Sequence, residues 1–266
     1  MVSPFTIAAL VVNIVICFGI PIAACIYFYH KRLHCGHSVF MGMIVFLIAQ
    51  IFLRLPIVDF IMAWPPMHDA LQNTWVYALF LGITAGVFEE GGRYIGYLAG
   101  MRENRRFVDA VAYAIGWGGL EAMLMVGVSS VNNLLIALFA DESVPLFASL
   151  EAMSPVTVLL SSGERILYLV VQIGFSVLVL LAIRKGRSGL LWLVGAVALH
   201  LLVDAPLPIL MDVLGLNDYI VECYLLILAV AAVWFTIYAK RKLFVDDDLQ
   251  DSQKGAAVRR ISGEII

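Results

Sequence analysis

Seven stretches of this chain are long and apolar enough to cross a bilayer, at about 4–29, 38–64, 75–100, 107–139, 164–183, 189–211 and 218–239. A span needs roughly 20 apolar residues, because each helical residue rises about 1.5 Å and the hydrocarbon core is about 30 Å thick. Hydrocarbon offers no partner to a free N–H or C=O, so a chain crossing it once per segment must do so as a helix. Charged residues make up 14% of the chain and hydrophobic ones 62%, whereas a soluble domain carries about a quarter charged residues. The expectation is an all-α polytopic membrane protein built as a bundle of seven transmembrane helices.

The charges orient it. Fourteen of the seventeen Lys and Arg residues lie at alternate helix ends: Lys31 and Arg32; Arg102, Arg105 and Arg106; Arg184, Lys185 and Arg187; Lys240, Arg241 and Lys242; and Lys254, Arg259 and Arg260. The opposite loops hold Asp69, Asp141, Glu142, Glu151 and Asp218 instead. Cytoplasmic loops retain positive charge during insertion, so the N-terminus is expected outside and the C-terminus inside. The first span has its basic residues after it and no basic segment before it, which reads as a retained anchor rather than a cleaved signal. Residues 1–242 form the expected transmembrane domain, and 243–266, opening into a DDD run and small polar residues, a flexible cytoplasmic tail.

Two clusters need weighing. HKRLHCGH brings His30, His34, Cys35 and His37 close together in a basic loop, but it lacks the partner cluster that a zinc site would need. It reads as a solvated loop. Cys17, Cys25 and Cys223 lie in apolar helices and supply no disulfide framework. The second cluster is FEEGGRY, residues 88–94, in the middle of the third span. An ionised group at a helix centre costs roughly 2.5–3.5 kcal/mol on insertion scales, so Glu89, Glu90 and Arg93 require a purpose.

Counting from the basic ends, Glu90, Trp117, Gln172 and His200 all lie roughly 15–18 Å deep at 1.5 Å per residue. Glu121 follows Trp117, and Asp204 follows His200, at i,i+4 and so on the same helix face. The third, fourth, fifth and sixth spans therefore present polar groups at one level, with the first, second and seventh expected at the periphery. One use is a brace in which Arg93 neutralises Glu89 at i,i+4. Interhelical hydrogen bonds return only about 0.6–2 kcal/mol each, little for so many ionisable groups, so a functional cavity is the stronger reading. Carboxylates beside a histidine serve hydrolysis, with a glutamate removing a proton from water, or proton-coupled transport. No inverted repeat of the transporter kind is visible. The SSVNN stretch at 129–133 is expected to break the long fourth span or mark its outer end, and Arg54 to reach an acid on another helix or the interface.

Seven motifs in order carry a resemblance over nearly the whole chain: FGIPIA at 18–23, FLRLPI at 52–57, AGVFEEGGRY at 85–94, GWGGLEA at 116–122, SSVNNL at 129–134, GERI at 163–166 and HLLVDA at 200–205. They resemble the bacterial YhfC family of intramembrane metallopeptidases, within the wider group of CAAX-processing and bacteriocin-processing membrane proteases. The scaffold subunit of γ-secretase is distantly similar. The resemblance implies an intramembrane endopeptidase of the bacterial plasma membrane, acting on a membrane protein or lipidated peptide through a cavity open to the cytoplasm. Its catalytic set would be Glu89, Glu90, Arg93, Glu121, His200 and Asp204. It implies zinc on His200, Glu90 and Glu121. Two departures weaken that metal set: Trp117 stands where the family pattern has histidine, and Gln172 occupies the same level, while an indole nitrogen only donates. A metal-free route with a glutamate base and protonated His200 survives better. The same resemblance admits a protease-like scaffold or chaperone within a membrane-protein complex, with proton-coupled transport as the third reading. Nothing in the chain points to nucleic acid.

Overall fold

A computed structural model describes residues 1–31, 33–141 and 145–247. Arg32, Glu142, Lys254, Arg259 and Arg260, and all of the expected tail from residue 248, lie outside the described residues. The helices are α1 (Pro4–His30), α2 (Gly36–Ala63), α3 (Pro65–Leu71), α4 (Thr74–Gly100), α5 (Phe107–Phe139), α6 (Pro145–Glu151), α7 (Pro155–Arg184), α8 (Gly186–Val213) and α9 (Asp218–Lys242). Among the described residues, six are long and apolar enough to span a bilayer on their own. A seventh candidate span is α4 taken with α3, from which it is bent by 110°. All seven sequence windows are thus helices, and the protein is an all-α polytopic membrane protein.

Helix ends follow local chemistry. The Asn73 carboxamide oxygen accepts from the Trp75 and Val76 amides at 3.0 and 3.3 Å, capping α4, and Asn217 caps α9 through the Ile220 amide. Such caps satisfy amides that the first helical turn leaves without partners. Wide π-helical turns at Val15–Gly19 and Leu47–Arg54 immediately precede Pro21 and Pro56, and another at Ile209–Val213 follows Pro206 and Pro208. A proline inside a helix removes one donor and crowds the preceding turn, and a locally widened turn accommodates it. The fourth wide turn, Met123–Gly127, lies within α5, while SSVNN continues beyond it as regular helix. The interruption expected at 129–133 therefore falls one turn earlier, and it widens the helix without ending it.

Small residues set the packing. A Cβ on Gly116 would lie 2.0 Å from the Val39 carbonyl oxygen, and one on Gly42 would lie 2.1 Å from that of Tyr113. The α2 and α5 backbones touch there, while Phe40, Phe52 and Phe60 on the rest of α2 stay exposed. Membrane helices gain little from burying apolar groups away from lipid, and close backbone approach at small residues is a principal source of their association. The GWGG stretch of α5 faces three neighbours in succession: Gly116 meets α2, Gly118 meets Gln172 on α7, and Gly119 meets Pro21 on α1. Gly116→Ala should therefore cost about 1–3 kcal/mol through overpacking, read as a lower unfolding midpoint in detergent. An unchanged midpoint would show that α2 and α5 have room to part.

At the basic end, the start of the expected tail is part of the bundle. Phe244 and Asp247 are buried. Asp247 accepts from Arg184 Nη1 at 2.7 Å and from the Phe107 amide at 2.5 Å, joining α7, α5 and the end of α9. Arg106 and Asp109 pair beside it, with the Ser38 hydroxyl donating to Asp109 at 3.0 Å. Arg54, expected to reach an acid or the interface, instead donates to the Leu81 carbonyl at 3.2 Å.

Candidate functional site

The polar side chains of α4, α5, α7 and α8 meet at mid-span. Gly86 permits this, because a Cβ there would lie 2.8 Å from the Val197 carbonyl oxygen on α8 and 3.4 Å from the His200 Cβ. The next turn of α4 then delivers Glu89 and Glu90 to His200. His200 Nδ1 lies 2.7 Å from Glu90 Oε1. Arg93 Nη1 donates to both Glu90 oxygens at 2.7 Å, and Arg93 Nη2 donates to Gln172 Oε1. The guanidinium stacks on Trp117, 4.7 Å from the ring centre.

Arg93 thus pairs with Glu90 at i,i+3 and not with Glu89 at i,i+4, as the brace expectation had it. The choice is made by partners on other helices: Trp117 fixes the plane of the guanidinium, and Gln172 holds its second nitrogen. Trp117 is therefore the platform for the ion pair.

The remaining groups form a half-ring around His200 Nε2. Glu89 Oε2 lies 3.8 Å from it and Asp204 Oδ2 3.6 Å. Phe175 covers one face of the imidazole, with ring centres 4.8 Å apart and planes 16° apart. The Gln172 amide donates to Glu89 at 3.2 Å and to Glu121 at 3.1 Å, so one carboxamide ties Arg93, Glu89 and Glu121 together. From the sequence Gln172 reads only as a poor ligand, and its coupling role has no local signal. Gln172→Leu would leave two carboxylates without a donor, and an unsatisfied buried polar group costs roughly 1–3 kcal/mol. A drop of that size in unfolding free energy is expected, and none is expected for Gln172→His if the imidazole still reaches one carboxylate.

Exposure is graded along the bundle. The side chains of Glu90 and Arg93 are fully buried, that of His200 is 4% exposed, Glu89 7%, Asp204 23% and Glu164 30%. On the basic side of Arg93, Tyr97, Tyr113 and Trp117 are fully buried, with Tyr97 and Tyr113 stacked at 4.6 Å, and they close the cluster off. The more exposed carboxylates, Asp204 and Glu164, lie toward the acidic end.

Zinc favours several nitrogen or sulfur ligands around one point. Among the described residues no group of three or more His, Cys, Asp or Glu side chains is placed to hold a metal ion. The set His200, Glu90 and Glu121 does not converge. Both Glu90 oxygens face Arg93, one of them also faces His200, and Glu121 is joined to the cluster through Gln172. As arranged, these donors do not fit a zinc centre. His30, His34 and Cys35 line a separate pocket at the basic end, and His37 Nε2 is occupied by the Gly100 carbonyl at 2.9 Å.

A bundle of membrane-spanning helices that buries carboxylates, a guanidinium and an imidazole at mid-depth defines an integral membrane protein with a polar intramembrane core. The chain belongs to the YhfC intramembrane metalloprotease family, whose model matches residues 15–225. It is similar to the uncharacterized membrane protein YhfC of Bacillus subtilis (strain 168), with 28% identity over 258 residues that cover 91% of this chain and 99% of that protein. No solved structure matches the chain.

Proposed function

We propose that this protein is an intramembrane endopeptidase that hydrolyses a peptide bond of a membrane protein or lipidated peptide in the bacterial plasma membrane. The observation that carries the reading is the division of labour between the two glutamates. Glu90 is committed to Arg93 and to His200 Nδ1, while Glu89 faces the other imidazole nitrogen at 3.8 Å. In this reading Glu90 and Arg93 orient His200, as a carboxylate orients the histidine of a hydrolytic triad. Glu89 removes a proton from water held between itself and His200, and the resulting hydroxide attacks the scissile carbonyl carbon.

With His200 protonated, its Nε2–H donates to the oxyanion that forms on the carbonyl oxygen. Glu89 then returns its proton to the leaving amine as the C–N bond breaks. Asp204 holds the imidazolium from the acidic side, and Gln172 keeps Glu89 and Glu121 apart. Substrate would reach the cluster from the acidic side, where Asp204 and Glu164 are the more exposed carboxylates, and which is the outer side by the positive-inside rule.

A scaffold reading has one observation in its favour: Glu90, Arg93, Gln172 and Trp117 form a brace whose ionic partners are paired with one another. The test compares protein N-termini in membranes of cells expressing the wild type, Glu89→Gln or His200→Ala at matched abundance. New termini that vanish in both variants establish the peptidase and name its substrate. Identical termini in all three favour the scaffold, and uptake or efflux that follows the proton gradient without new termini favours transport.

A further inference from the structure

Away from the polar cluster, an apolar cleft of about 560 Å³ lies between α7, α8 and α9, lined by Trp192, Gly195, Leu199, Phe175, Trp234 and Phe235 among others. Both α8 and α9 pack on α7, where Gly174 meets Ala232. They also meet toward the acidic end, where Ile209–Val213 packs on α9 and the Tyr224 hydroxyl donates to the Leu202 carbonyl. Toward the basic end the cleft runs between them as far as Leu191 on α8 and Phe235 on α9. A Cβ on Gly195 would meet nothing within 4 Å, so α8 leaves the cleft open at mid-height.

The mouth is charged. Lys185 Nζ lies 5.6 Å over the Trp192 ring, and Arg187 is exposed beside it in a turn that carries no acid. On the facing wall Trp234 stacks on Tyr238, with ring centres 5.8 Å apart. A slot of hydrocarbon depth lined by apolar groups excludes water, and a mouth of basic and aromatic groups matches an acidic headgroup at the interface. We infer that this cleft binds an acidic phospholipid of the leaflet on the basic side, with one acyl chain between α8 and α9 and the phosphate on Lys185 and Arg187. This inference does not depend on the proposed peptidase activity, although Phe175 separates the chain from His200.

Tryptophan quenching tests it. In a variant with Trp64, Trp75 and Trp234 replaced by Phe, Trp192 reports on the cleft and the fully buried Trp117 gives a constant background. The protein is reconstituted into unlabelled bilayers containing equal fractions of phosphatidylglycerol or phosphatidylcholine brominated on the acyl chains. Quenching should show phosphatidylglycerol bound more tightly by about fivefold for each basic residue engaged. Lys185→Gln with Arg187→Gln, both on the surface, should abolish that preference, and Gly195→Leu should reduce quenching by both lipids. Equal quenching by the two lipids overturns the inference, as does a preference that survives the loss of both basic groups. Quenching by neither lipid overturns it too, and means that another helix, from a second copy or a partner, fills the cleft. Unchanged quenching in a folded Gly195→Leu protein shows that the chain lies elsewhere.

Discussion

Replacing Arg93 with methionine should destabilise the protein by about 3–5 kcal/mol, the range for breaking a buried ion pair from one side. Arg93 has no exposed surface, spends one nitrogen on both Glu90 oxygens and a second on Gln172, and stacks on Trp117. Methionine fills part of the volume but leaves the Glu90 carboxylate in the bundle centre with only His200 as a partner. Lysine should rescue part of the loss, since it restores the charge but not the planar fork or the stack. Pairing Arg93→Met with Glu90→Gln should be milder than the sum of the two, because the second change removes the charge that the first exposed. Unfolding in detergent micelles reads all of these. A loss below about 1 kcal/mol for Arg93→Met would place the pair in the class of exposed salt bridges and dismiss the brace.

The second large effect is on turnover. Glu89→Gln should slow cleavage of the substrate found by N-terminal comparison by roughly 10²–10⁴-fold, the usual contribution of a positioned general base. The change conserves shape and keeps an oxygen for the Gln172 amide at 3.2 Å, so the unfolding midpoint should hardly move. Glu90→Gln should lower both turnover and stability, because it releases Arg93 and the imidazole together. The two glutamates are neighbours in the chain yet separate cleanly in this pair of measurements. If Glu89→Gln cleaves at the wild-type rate, Glu89 is not the base.

The sequence was a good guide to depth, charge and helix face along each span, though not to which neighbour on its own helix Arg93 takes. Span length, the alternation of Lys and Arg, and the i,i+4 pairs Trp117 with Glu121 and His200 with Asp204 are local properties, and they placed the polar level on four helices. The tail was less legible. Asp247 looks like one member of a solvated acidic run, but the ends of α5 and α7 offer it an amide and a guanidinium. The lipid-facing cleft gave no signal either, because its apolar residues are indistinguishable in sequence from those facing the bilayer.

The chain by itself determined that seven helices cross the bilayer, which ends are basic, and which residues must share one depth, since helix rise and insertion charge act on each segment alone. Only the tertiary structure decided which glutamate Arg93 takes, what Trp117 is for, and what covers the cluster on its basic side. Those outcomes rest on side chains from different helices competing for the same few ångströms. In a dry interior the groups that arrive together must satisfy one another: Trp117 and Gln172 settle Arg93 on Glu90, and the tyrosine stack closes the basic side.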